Sequence, residues 1–196
     1  MKTMWNSQVR PILDYCSPLW SPNSSNYGNL DLLEGVQRTF TRQINGMEGL
    51  SYAQRLQELN MYSVQRRHER YKIIYLYKIK CGLVPNISEH HGLQFYPNKR
   101  FGTSCWVPSF PLYNNRAIKA RNASFALTAS SLWNSLPKEI RNISEISVEA
   151  FKRRLDKVLK EFPDVPRCSS QGMYTDLNGR ISNSIQDIAK KLKKSK

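Results

Sequence analysis

The chain has 196 residues, 40% of them hydrophobic, which suits one domain with a core or one domain with a tail. Its 30 lysines and arginines against 15 acidic residues give a net charge of +15, which attracts phosphate backbones and anionic membrane surfaces. No apolar run is long enough to span a membrane, no signal peptide is recognisable, and the four cysteines lack zinc-ligand spacing. We therefore expect an intracellular protein, nuclear or cytoplasmic, with reduced thiols.

Residues 1–84 predict a compact bundle of helices joined by short loops. Helices are expected from Met4 to Tyr15, from Leu30 to Ile44, after a capping-box serine at position 51, and from Ser63 to Gly82. In the second of these, Arg38 and Arg42 are expected to point away from the core. Glu34 precedes Arg38 by four residues, which predicts an ordinary ion pair along the helix.

The helix from Ser63 to Gly82 should span about five turns and organise the bundle. Its predicted core stripe carries Val64, Tyr71 and Tyr75. The opposite stripe carries Arg66, Arg70, Ile73 and Tyr77. We interpret this mixture of basic and apolar residues as a contact surface. The alternative is a central helix buried on two sides, with its arginine stems lying along neighbouring elements.

The rest of the chain predicts three further segments. Residues 85–121 contain four prolines and short aromatic runs, which indicate loops or short strands. Residues 122–162 predict a pair of helices, the second with an apolar stripe from Val148 to Phe162. Residues 163–196 predict a flexible basic tail, poorly ordered from Pro163 to Arg180, with a short helix whose apolar face includes Ile181, Ile185, Ile188 and Leu192. The expected fold is therefore mostly α, with one irregular or short-strand segment.

No arrangement of residues indicates catalysis. The aspartates are scattered and do not form the pair that a two-metal polymerase or nuclease needs. No glycine-rich phosphate loop occurs, and His90 with His91 is more typical of surface histidines than of metal ligands. The residues favour a binding module without metal or cofactor rather than an enzyme.

Six segments follow one another in a distinctive order. They are RPILDYCSPLW (10–20), LLEGVQRTFTRQI (32–44), SYAQRLQELNMYSVQRR (51–67), YKIKCGLVP (77–85), LWNSLPKEI (132–140) and SVEAFKRRLDKVL (147–159). In this order they resemble the C-terminal end of jockey-like non-LTR retrotransposon reverse transcriptases. The resemblance covers about residues 5–162.

The resemblance implies a thumb and post-palm region, which grips template and primer but lacks the palm and its metal-binding aspartates. It implies a truncated or domesticated RNA-directed DNA polymerase that does not polymerise DNA and binds RNA or DNA backbone, as duplex or hybrid, alone or beside an intact polymerase. The segment before LWNSLPKEI is less basic than in the family, and residues after Phe162 match no known pattern, so sequence-specific binding is not expected.

Two groups of basic residues are the predicted contacts. The first comprises Arg38, Arg42, Arg66, Arg70 and Lys78. The second comprises Arg116, Lys119 and Arg121. Phosphate contacts of this kind should be salt-dependent and nearly indifferent to sequence. Two alternatives remain: a relic that binds only through bulk charge, and an interaction or membrane-surface module that uses the helix from Ile181 to Lys194.

Overall fold

The computed structural model describes residues 2–21, 27–86, 92–109, 112, 114–143, 146–166, 183–186 and 188–189. Within them the chain is mostly helical and contains a two-stranded antiparallel sheet, which confirms the predicted fold class. The first helices are α1 (Lys2–Met4), a π-helical stretch (Trp5–Val9), α2 (Arg10–Asp14), α3 (Ser17–Trp20), α4 (Tyr27–Arg42), α5 (Tyr52–Glu58) and α6 (Val64–Lys80). Then come β1 (Gln94–Tyr96), β2 (Ser104–Trp106), α7 (Asn115–Ala123), α8 (Phe125–Ser135), α9 (Lys138–Arg141) and α10 (Val148–Leu159).

Local signals correctly predicted the serine caps that begin α5, α6 and α10. Ser51 and Gln54 form the predicted capping box at α5. Ser63 Oγ accepts the backbone N–H of Arg66, and Ser147 caps α10 in the same way. The prediction of loops across residues 85–121 is wrong for α7, which the sequence did not reveal as a helix. That helix has no buried residue, so its sequence carries no apolar periodicity to reveal it.

Helix α6 lies at the centre, buried on two sides, as the alternative interpretation proposed. Its first half meets α2, α3 and α4, and its second half enters the apolar core. Helix α10 runs antiparallel to it: the rings of Tyr77 and Phe151 stack with centroids 3.8 Å apart, and Tyr62 near the start of α6 lies beside Asp156. Trp133 of α8 is fully buried in the same core.

Part of the predicted flexible tail packs against the start of α6. The Asp164 carboxylate accepts the backbone N–H of Ser63 at 2.9 Å and its hydroxyl at 2.8 Å. Asn183 donates to Asp164 at 2.8 Å, and Ile185 is fully buried. Residues 167–182, 187 and 190–196, which include Ile181 and Leu192 of the predicted apolar face, lie outside the described residues. The apolar face assigned to a membrane-surface helix therefore includes two residues, Ile185 and Ile188, that pack in the core instead.

Candidate nucleic-acid interface

The prediction that Arg66 lies on an outward contact face is wrong. Its side chain is fully buried. The guanidinium donates to the carbonyls of Phe162 at 3.3 Å and Pro163 at 2.8 Å, just after α10 ends. A guanidinium has five donors in a fixed fork, so it can donate to several carbonyls of one chain segment at once. Arg66 therefore joins the start of α6 to the end of α10.

Arg70 also contacts α10 rather than an open surface. Its guanidinium donates to both oxygens of the Asp156 carboxylate, with N–O distances of 2.5 and 2.7 Å. Burial by itself would lower the pKa of Arg70, but the hydrogen bond and the charge of Asp156 outweigh it and raise the pKa. The pair is bidentate and largely enclosed, with 16% and 33% of the two side chains exposed. The positive charge of Arg70 is therefore already balanced by Asp156.

The predicted pair between Glu34 and Arg38 is also wrong. Arg38 binds Asp31 at 2.7 Å, and its guanidinium lies 5.7 Å from the centre of the Tyr52 ring. Glu34 turns inward, where it accepts the Tyr52 hydroxyl at 2.7 Å and the backbone N–H of Gln65 at 2.9 Å. Burial raises the pKa of Glu34 despite these bonds.

The other predicted residues are spread over three helices. Arg42 is exposed at the end of α4, and Lys78 is half-buried on α6 beside an open cavity of about 390 Å³. Arg116 and Lys119 are exposed one turn apart on α7. Arg121 donates to the Pro108 carbonyl at 2.6 Å, which ties α7 to the segment after β2. The structure does not gather the eight predicted residues on one surface.

The basic run of α6 belongs to a buried polar network. Arg67 donates to both oxygens of Asp14 at 3.1 Å and to Gln37 at 2.5 Å. His68 Nε2 lies 3.0 Å from the Leu13 carbonyl and 3.5 Å from Asp14. Burial would raise the pKa of Asp14, but bonds from His68, Arg67 and Arg10 hold it at about 2. Arg67 and His68 are buried, so these side chains stabilise the fold and do not face solvent.

The exposed face of α10 is a basic surface that the prediction missed. Phe151, Leu155 and Leu159 are buried against the core. Three exposed cations lie on the other side of the helix: Arg153, Lys157 and Lys160. At 100° per residue they fall within about 60° of arc, and exposed Arg154 flanks them. The apolar stripe that predicted the inner face also determines this outer one, so the signal was present in the sequence.

Few open acidic groups surround this α10 basic face (Arg153, Lys157 and Lys160). Glu149 binds Lys152 at 2.6 Å, and Asp156 binds Arg70. Glu161 is exposed beside the face. Among the described residues, three cations against one open carboxylate leave a clear positive excess, held on a helix whose other side is anchored in the core. None of the three cations makes an ion pair with a described residue, but the charge of the exposed Glu149 carboxylate also reaches Arg153, which reduces the positive excess at that end of the face.

The described residues give no sign of a metal site or a membrane span. No group of three or more histidine, cysteine, aspartate or glutamate side chains among them could hold a metal ion, and His90 and His91 lie outside them. No described helix combines the length and apolar character needed to cross a bilayer. Comparisons with protein-family models, curated proteins and solved structures found no match to the chain.

Proposed function

We propose that the protein is a non-catalytic module that binds nucleic-acid backbone, with the α10 basic face as its main contact. The observation that carries the proposal is the row of Arg153, Lys157 and Lys160, exposed on one side of a helix whose other side is buried. A net charge of +15 adds a field that draws polyanions toward it. The resemblance to the post-palm region of a retrotransposon polymerase points to the same class of ligand, a template and primer.

The geometry suits phosphates better than bases. Arg153 and the C-cap residue Lys160 are seven positions apart, which is about 10 Å along the helix axis. A DNA duplex carries one negative charge per roughly 1.7 Å of its axis, so three cations over this length can each meet a phosphate. Contacts of this kind position a protein on the backbone without reading sequence. Exposed Arg42, Arg116 and Lys119 and half-buried Lys78 would add weaker, dispersed attraction.

The test replaces the three α10 cations together, as R153Q/K157Q/K160Q, and measures affinity for a mixed-sequence DNA duplex and an RNA–DNA hybrid over a range of salt. The slope of log affinity against log salt should fall by about 0.9 for each phosphate of the DNA duplex that the variant no longer neutralises. The decrease in affinity should be similar for different sequences, because no base edge is read.

A charge-matched control is R42Q/R116Q/K119Q, which removes three exposed cations from two other helices. The proposal expects this control to change the slope much less than the α10 variant does. Equal decreases in both variants would mean that binding follows net charge, as expected of a relic without a selected surface. An unchanged slope in the α10 variant would also contradict the proposal.

A further inference from the structure

The outer face of the β1–β2 hairpin carries exposed aromatic rings. Gln94 pairs with Trp106 and Tyr96 with Ser104, so Tyr96 and Trp106 project from the same face as diagonal neighbours. Tyr96 is 53% exposed and Trp106 is 48% exposed. The residues between them in each strand, Phe95 and Cys105, turn to the core. Two aromatic side chains are therefore exposed to solvent as neighbours on one face of the hairpin.

Cations lie at the tip of the same hairpin. Lys99 and Arg100 are exposed there, and the Arg100 guanidinium lies 5.2 Å from the centre of the Phe101 ring, which is 59% exposed. Residues 92–109 contain no acidic residue. Exposed Lys138 of α9 lies close to the tip, beside Gly102, and its neighbour Glu139 is exposed. The hairpin thus combines aromatic faces with positive charge.

Residues of α8 and α9 hold the backbone of the hairpin in place. The Asn134 side chain accepts the Cys105 N–H at 2.9 Å and donates to the Cys105 carbonyl at 2.7 Å, in place of a further strand. Trp133 Nε1 donates to the Thr103 carbonyl at 2.9 Å. Gly102 has a φ of +84°, and a Cβ there would approach the Lys138 Cα to 3.1 Å. The backbone of the strand that carries Trp106 is therefore fixed in place.

We propose that this hairpin is a stacking platform for the unpaired bases of single-stranded nucleic acid. Proteins that bind single strands without sequence preference pair stacking aromatics with cations that follow the phosphates. The positive charge at the tip complements a polyanion. In a duplex the base faces are stacked on one another, so only an unpaired segment can offer them to Tyr96 and Trp106. The proposal rests on the function proposed above for the class of ligand and concerns a different surface.

The experiment uses the full chain with three probes: oligothymidylate, an abasic oligomer of the same length, and a blunt DNA duplex. Trp106→Ala and Tyr96→Ala should each weaken oligothymidylate binding by roughly 5- to 150-fold, the range expected when one base can no longer stack. Binding to the abasic oligomer and to the duplex should not change. Trp106→Phe should retain most of the affinity because it keeps an aromatic face.

A matched control is Tyr15→Ala, which removes a ring that is 76% exposed in the N-terminal region. It should leave all three affinities unchanged. A direct readout is also possible, since Trp5 and Trp133 are buried. In a Trp20→Phe background, a base stacked on Trp106 should quench the tryptophan emission that remains solvent-accessible. Oligothymidylate should quench it, and the abasic oligomer should not.

The two proposals fail in different ways. The α10 triple variant should weaken binding of all three probes, whereas the hairpin variants should weaken only binding of the probe with unpaired bases. Equal decreases in affinity for oligothymidylate and the abasic oligomer, or no quenching of Trp106 in a folded protein, would overturn the hairpin proposal. If Trp106→Ala does not fold, Tyr96→Ala and the quenching experiment still decide the question.

Discussion

Helices α6 and α10 contain similar basic runs, but most of the α6 run is buried and much of the α10 run is exposed. The run QRRHER in α6 has Arg66, Arg67 and His68 almost wholly buried. The run KRRLDK in α10 leaves Arg153 and Arg154 exposed. The residue types are nearly the same, so composition cannot explain the difference. What differs is the number of elements that pack against each helix.

Helix α6 is covered on two sides, and its arginines can be buried because other segments provide hydrogen-bond acceptors and a counter-charge for them. Arg66 donates to carbonyls that follow α10, and Arg67 donates to the carboxylate of Asp14 in α2. Helix α10 lies at the periphery and buries one stripe, so its remaining sides face water. A basic run therefore indicates a ligand surface only where neighbouring elements leave its side chains unmatched.

The largest expected effect comes from breaking the buried example. Arg66→Ala should lower the free energy of unfolding by about 4 kcal/mol, because it empties the space of a large buried side chain and leaves two carbonyls without donors. Arg66→Lys keeps the charge but not the forked geometry, so its stability should fall between those of the wild type and Arg66→Ala. Urea unfolding gives both values. A decrease below about 0.5 kcal/mol for Arg66→Ala would contradict a structural role.

A somewhat smaller loss of stability is expected from replacing Asp14, whose carboxylate binds Arg67 of α6. Asp14→Asn should cost about 3 kcal/mol at neutral pH, since Arg67 then stays buried without its counter-charge. The folded-state pKa of Asp14 is about 2, below its ordinary value of 3.8, so its contribution is present above about pH 4 and disappears as the pH falls toward 2. The difference in stability between the two proteins should shrink over that window.

This comparison also controls for two other buried acids. Burial raises the pKa values of Glu34 and Glu69, so their contribution to the free energy of unfolding increases as the pH falls. Both groups are present in the wild type and in Asp14→Asn, so their effects should cancel in the difference. A difference that stays constant from about pH 5 to about pH 2 would be inconsistent with a depressed pKa at Asp14.

The smallest effect on stability is expected on α10. R153Q/K157Q/K160Q should change the free energy of unfolding by no more than about 0.5 kcal/mol, because these side chains are exposed and make no ion pair with a described residue. The same variant should show the largest change in salt-dependent binding. Urea unfolding beside the binding titration would sharpen the contrast with Arg66. A destabilisation comparable to that of Arg66→Ala would remove it.

Features governed by near neighbours in sequence were predictable. The serine caps at positions 51, 63 and 147 depend on residues three positions away, and all three are confirmed. The apolar stripe of α10 follows from helical periodicity and predicts its buried side. The predicted mostly helical fold with a short strand segment is confirmed for the same reason.

Features governed by distant contacts were not predictable. Glu34 has Arg38 within one turn, yet it bonds Tyr52 and Gln65, which lie 18 and 31 residues away. Arg66 finds its partners 96 and 97 residues away. The rings of Tyr96 and Trp106 come together only through the register of the hairpin, and α7 has no buried face to mark it.

The sequence by itself determined the helical character, the caps, the inner face of α10 and the excess of positive charge, because each depends on spacing along one element or on composition. The tertiary structure decided which cations are matched and which face water. The physical reason is that burying a charge requires hydrogen bonds and counter-charges, and here these come from segments far away in the chain.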